Sequence, residues 1–165
     1  LAVERIGGGA DADLVATVGR FDVPAGAPNV VPGEVRFAID VRSPADAIRN
    51  RAQGAIEREI HSIARRRKVT AKAEVYYDMP ATALDPRIVD AIAQAISACG
   101  HEPVRLASGA GHDAMAIAPH WPAGMLFVRC KDGISHNPAE AITVADCDVA
   151  IRALTEAVRR LDTML

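Results

Sequence analysis

Apolar and polar residues alternate along 34–42, EVRFAIDVR. Val35, Phe37, Ile39 and Val41 fall on one face, while Glu34, Arg36, Asp40 and Arg42 share the other. The pattern predicts a strand with one buried face and one that is wet or functional. Before it, LVATVGRFDVP (14–24) is rich in β-formers, and Gly19 marks a bulge. The intervening AGAPNVVPG is dense in turn residues, and Pro32-Gly33 suits a type II turn. Ser43-Pro44-Ala45-Asp46 opens a helix, with serine as N-cap, proline in the first turn and an acid after it. Ile48, Ala52, Ala55, Ile56, Ile60 and Ile63 recur at helical spacing, and the cations at 65–68 close the helix. Alternation returns over VTAKAEVYY (69–77). The opening LAVERIGGG reads as the end of a helix stopped by glycines, with neither a start signal nor a methionine. The first half is therefore expected to run helix–strand–strand–helix–strand. That is a ferredoxin-like α+β unit without its first strand, which would precede Leu1 in a longer protein.

The rhythm changes after DMPATALDP, the expected boundary. Asp85-Pro86 caps a helix with an Ile88, Ala91, Ile92, Ala95, Ile96 stripe that ends at Gly100. EPVRLASGA reads as a strand entering a glycine-rich turn, HDAMAIAP as a short helix, and AGMLFVRC as a buried strand. Thr143 caps a last helix with Cys147, Ile151, Leu154, Val158 and Leu161. Helices alternating with apolar strands predict part of an α/β layer, in the order α-β-α-β-α. The chain thus reads as α/β overall: an incomplete unit over 1–80 and half a sheet over 81–165.

Composition narrows the partners. Half of the 165 residues are hydrophobic but only 4% are aromatic, so the core must be Ala, Val, Ile and Leu. A net charge of -2 offers no basis for nucleic acid or an anionic membrane as partner. No apolar run approaches the roughly 20 residues of a membrane span. Cys99, Cys130 and Cys147 form no CxxC pair, which argues against a disulfide scaffold and suits a reducing cytoplasm.

The chemistry gathers on two loops. In DGISHNPAE, His136 follows an apolar strand, where open α/β sheets place ligand sites, and Pro138 stiffens the turn. Its imidazole suits a metal ligand, and a surface histidine in a turn is the plainer reading. No HxxxH, HxD or CxxC partners it, whereas a catalytic zinc usually takes three protein ligands. In SGAGHDAM, Gly111 and His112 stand at a helix entry. Backbone N–H groups there favour an anion or developing oxyanion, and the imidazole can add a hydrogen bond to a carbonyl. A capping turn is the alternative. Arg42 ends its strand on the polar face with Asn29 in the preceding turn. The pair can grip a carboxylate, or Arg42 can simply pair with Asp40. Ser108 and Ser135 lack a base-and-elbow arrangement, which argues against a serine hydrolase.

TVGRFDVPAGAPNVVPGEVRFAIDVRS, SGAGHDAM and GMLFVRCKDGISHNPAE together resemble the M20-type metal-dependent amidohydrolases. The narrower likeness is to the branch of allantoate amidohydrolase, N-carbamoyl-L-amino-acid hydrolase and β-ureidopropionase, and it runs from about Leu14 to the last helix. The resemblance implies a lid, also used for dimerisation, over 1–80, and the return into a catalytic α/β domain over 81–165. It places His136 as a ligand of a two-metal centre of manganese or zinc. His112 with Gly111 would contact the scissile amide, and Asn29 and Arg42 would hold the substrate carboxylate. The family's other metal ligands, its general-base glutamate and a lid histidine lie in a region this chain lacks. The implied parent is a homodimeric, cytoplasmic enzyme that hydrolyses the ureido or carbamoyl C–N bond of a small acid. This chain alone is expected to hold no metal pair and to be inactive. Rival readings are a stand-alone dimerisation or binding module, and a peptidase or deacylase of the same superfamily.

Overall fold

In the computed structural model, residues 1–9 and 11–163 are described. The two β-rich stretches form an antiparallel pair, β1 (Val15–Asp22) and β2 (Arg36–Arg42). Val15 lies opposite Arg42 and Asp22 opposite Arg36. The register slips between Val18 and Arg20, so Gly19 is the extra residue of the expected bulge. Phe21 and Phe37, directly opposite, stack at 6.1 Å between ring centroids. The turn chemistry differs from expectation. Gly33 does not adopt the positive φ that a type II turn at Pro32-Gly33 requires. The chain turns instead at Val23–Gly26, where Pro24 precedes Ala25 at φ 52° and the Gly26 N–H donates to the Val23 carbonyl.

Helix α1 (Ala2–Gly7) precedes the strands, and α2 (Asp46–Arg67) follows them. Among the described residues of this half, Leu14, Ala52, Ile56 and Ala64 are buried and apolar. Helix α2 starts later than its sequence suggests. Ser43 accepts a hydrogen bond from the Ala45 N–H, and Ala45 occupies the N-cap with no side-chain bond. Asp46 is used elsewhere: its Oδ1 accepts from the Ala81 N–H at 3.0 Å, and Arg49 pairs with both Asp46 and Asp78. These contacts tie the segment after α2 back onto the helix.

The chain divides into two compact units, Leu1–Ala81 and a second from Thr82 onward. In the second, α3 (Pro86–Ala98) packs on α5 (Val144–Asp162). Ile92, Ala95 and Ala157 form the centre, and Ile88, Ile96 and Leu126 lie against it. The aliphatic, alanine-rich core matches the scarcity of aromatics. Gly124 sits so close to α3 that a Cβ there would meet Ile88 Cγ2 at 2.4 Å. Both expected caps form. Asp85 Oδ1 accepts from the Arg87 N–H at 2.9 Å, and Thr143 Oγ1 accepts from the Asp146 N–H at 3.0 Å. Gly100, at φ 84°, ends α3 as the sequence suggested.

Three stretches expected as strands carry no ladder among the described residues: 69–77, 102–110 and 123–130. Their large side chains are largely exposed, with Val69 at 61%, Leu106 at 70% and Phe127 at 49%. Alternation or an apolar run reports which side chains want cover. A strand exists only when a neighbouring chain supplies the other half of its hydrogen bonds. The mixed α/β class holds, but its sheet among the described residues is the β1–β2 pair alone.

The Asp85 cap gives a pH prediction. The Arg87 guanidinium and backbone N–H that bond to it hold its carboxyl down to about 2. In the unfolded chain it titrates near the ordinary ~3.9. The folded state therefore binds fewer protons between those values. The cap's contribution is complete above about pH 4 and is lost as pH falls through about 2. Asp85→Asn keeps a capping oxygen without that titration, so the urea midpoint of the variant is expected to fall less between pH 4 and 2 than that of the parent chain.

Candidate functional site

The residues singled out by sequence lie in both units. In the first, Arg42 ends β2 on its polar face, as the alternation predicts. Its Nε lies 3.0 and 2.9 Å from the two carboxylate oxygens of Asp40, and its Nη2 adds a further bond. The pair is two residues apart on one strand face and solvent-exposed. Each charge favours the other: hydrogen bonding from Arg42 pulls the Asp40 carboxyl below its ordinary value, and Asp40 raises that of Arg42. Asn29 sits exposed in the turn Ala27–Val30, which is closed by the Val30 N–H to the Ala27 carbonyl at 3.2 Å.

In the second unit, His136 occupies a loop built from short-range bonds. The Lys131 N–H donates to the Ala141 carbonyl at 2.8 Å and closes the loop's neck. Asn137 Oδ1 accepts from the Ala139 N–H at 2.9 Å, and the Asn137 carbonyl accepts from the Glu140 N–H at 2.9 Å. This is a turn with Asn first and Pro138 second, each in its preferred place. His136 itself has φ 57°, a left-handed backbone that costs a non-glycine residue about 1–2 kcal/mol. Glu140 offsets that strain: its carboxylate accepts the His136 backbone N–H at 2.8 Å. The imidazole is exposed, and neither ring nitrogen has a hydrogen-bond partner among the described residues. Glu140 was not a sequence candidate. A carboxylate four residues after a loop histidine, across an Asn-Pro turn, was the available signal.

His112 is half-buried just ahead of α4 (Ala114–Ile117). The helix is a single turn of four residues, too short for aligned dipoles to build a useful field, and Asp113 makes no side-chain cap bond. Gly111 leaves space beside it; a Cβ there would come no closer than 3.7 Å to Met115 Sδ. The ring of His112 is held on two sides. Its Nε2 lies 2.6 Å from Ser108 Oγ, and it meets Phe127 edge-on at 5.7 Å between centroids. Ser108, set aside at the sequence level for want of a base, thus does touch an imidazole. A serine nucleophile also needs a group orienting the far ring nitrogen, and Nδ1 has no such partner among the described residues.

One imidazole fits one coordination position. Among the described residues no group of three or more His, Cys, Asp or Glu side chains could hold a metal ion. Cys99, Cys130 and Cys147 are free thiols, each half-buried. No helix is long and apolar enough to cross a membrane among the described residues.

Known proteins resemble this chain over nearly its whole length. N-carbamoyl-L-amino acid amidohydrolase of Geobacillus stearothermophilus is 37% identical over 147 residues, which take in 89% of this chain and 36% of that protein. Allantoate deiminase of Arabidopsis thaliana is 36% identical over 87% of this chain and 29% of its own length. A crystal structure of a hydantoinase/carbamoylase family amidase from Burkholderia multivorans superposes with a TM-score of 0.87 at 36% identity, over 94% of this chain and 38% of that one. The chain spans between 29% and 38% of the length of these relatives. With residues 3–160 matching its pattern, the chain belongs to peptidase family M20/M25/M40.

Proposed function

We propose that this chain is the lid and the C-terminal catalytic segment of an amidohydrolase that cleaves the ureido or carbamoyl C–N bond of a small carboxylic acid. Residues 1–80 are the lid, through which the parent pairs as a homodimer, and 81–165 belong to the catalytic domain. The observation that carries the reading is the 37% identity to a carbamoyl-amino-acid amidohydrolase, in a chain whose loops hold His112 beside Ser108 and His136 on a left-handed turn. Allantoate and N-carbamoyl-L-amino acids are the substrate candidates, since both offer one carboxylate and one ureido group.

The roles follow from the chemistry of each side chain. Arg42 presents a planar fork of donors to the substrate carboxylate, and the Asn29 amide adds one more. His112 donates to the carbonyl of the scissile ureido group, where negative charge develops. Gly111 lets the backbone approach without a side chain in the way. Amidohydrolases of this family are generally dependent on divalent metal ions. His136 offers one ligand, and the remaining ligands belong to the part of the parent outside this chain. When bound, a pair of manganese or zinc ions supplies a water acidic enough to act as nucleophile near neutral pH. A cytoplasmic setting suits three free thiols.

The full-length parent, loaded with Mn²⁺ or Zn²⁺, is expected to release ammonia from allantoate or from N-carbamoyl-L-amino acids. It is expected to leave dipeptides and N-acetyl amino acids intact. Turnover of dipeptides with no ammonia from any ureido acid would favour the peptidase reading and remove this one.

A further inference from the structure

Ser108 is connected to His112 in a way the proposed chemistry does not use. The hydroxyl oxygen already accepts a hydrogen bond from the Ala110 N–H at 3.2 Å. It also lies 2.6 Å from His112 Nε2. A serine hydroxyl has one proton to donate and two lone pairs to accept with. With one lone pair taken by Ala110, the O–H can donate to Nε2. The second lone pair can equally accept from an Nε2–H, so the tautomer sets the direction. With the O–H donating, the bonds form a directed chain, Ala110 N–H to Ser108 O–H to His112 Nε2, in which each bond polarises the next. An imidazole whose Nε2 accepts must carry its proton on Nδ1 when neutral. Phe127 meets the ring edge-on at 5.7 Å between centroids. Nδ1 has no hydrogen-bond partner among the described residues and is the ring nitrogen left to donate.

We infer that Ser108 is a positioning residue: it holds His112 in the Nδ1–H tautomer, so that Nδ1 and not Nε2 donates to the substrate's carbonyl. The inference rests on the proposed role of His112 as that donor. It assigns the other ring nitrogen to the protein and gives the serine of the SGAGH turn a purpose other than nucleophilic attack. The reverse tautomer would present an acceptor where the substrate carbonyl needs a donor.

The test reads the tautomer directly. The five histidines of the chain are labelled with ¹⁵N, and long-range ¹H–¹⁵N spectra are recorded at alkaline pH, where imidazoles are neutral. His112→Asn identifies the signals. His112 is expected to show an acceptor-type Nε2 and a protonated Nδ1. Ser108→Ala is expected to shift the population several-fold toward Nε2–H, and Ser108→Thr, which keeps the hydroxyl, to restore it. Ser108 is solvent-exposed, so the amide fingerprint away from the 108–115 turn should be unchanged in both variants. In the full-length parent, Ser108→Ala is expected to lower kcat about five- to tenfold with KM little changed, and Ser108→Thr to recover most of it. A His112 that is mainly Nε2–H in the parent chain, or a tautomer indifferent to Ser108→Ala, overturns the positioning role whatever the activity. An intact Nδ1–H bias in a parent inert toward every ureido acid overturns the proposed function and leaves the tautomer assignment standing.

Discussion

In the full-length parent, His136→Ala is expected to remove about one equivalent of bound divalent metal per protomer and to lower kcat/KM about 1000-fold or more. The magnitude follows from what one ligand controls. A hydrolytic metal contributes several kcal/mol of transition-state stabilisation, and about 4 kcal/mol is a factor of 1000 in rate. The structure makes His136 a residue whose backbone is strained and whose side chain is otherwise unused. Its φ of 57° is held by the Glu140 carboxylate and the Asn137-Pro138 turn, while its ring has no hydrogen-bond partner among the described residues. Backbone strain of that kind persists where the surroundings over-determine it, and a ligand position is one such place. Because the ring is exposed, its removal should leave circular dichroism and thermal unfolding of the metal-free protein unchanged. Metal analysis of the purified variant is the decisive measurement. A full complement of metal, with activity retained, would return His136 to an ordinary surface turn.

Arg42→Ala in the same parent is expected to raise KM for a ureido acid about 100-fold with kcat altered far less. In the structure Arg42 is engaged by Asp40, at 3.0 and 2.9 Å from Nε, on an open strand face. Exposed pairs of this kind are worth only about 0.2–1 kcal/mol, so a substrate carboxylate can compete for the guanidinium. A charge-assisted bond to that carboxylate contributes about 1.5–3 kcal/mol. Losing Arg42 also leaves Asp40 without its counter-charge, and that carboxylate then repels the substrate. The two effects act in the same direction. Arg42→Ala combined with Asp40→Asn should therefore recover part of the loss, and Arg42→Lys should recover less than a full guanidinium because its single ammonium cannot bond in parallel. An unchanged KM in Arg42→Ala would discard the carboxylate role.

Local features of the fold could be read before the structure because short-range chemistry determines them. Asp85 and Thr143 cap the helices they were expected to cap, since each needs only the backbone N–H groups of the next turn. Gly19 is a bulge, and Gly100 a helix stop, for equally local reasons. Ser43 did not cap the helix: Asp46 bonds to the Ala81 N–H and pairs with Arg49, and the N-cap falls two residues later, at Ala45. The strands at 69–77, 102–110 and 123–130 failed for another reason. Their patterns are real, but a ladder requires a partner, and periodicity cannot say whether one is present.

The candidate site divides along the same line. Histidines in glycine- and proline-rich loops stand out in one dimension, as does an arginine on the polar face of a strand. By itself the sequence determined residue type, loop context and helix limits, because these depend on neighbours within a few positions. Tertiary structure alone decided that Ser108 faces Nε2 of His112, that Phe127 closes on the ring, and that Glu140 holds the backbone of His136. Those contacts depend on loop closure and on side-chain directions, which no spacing of residue types encodes.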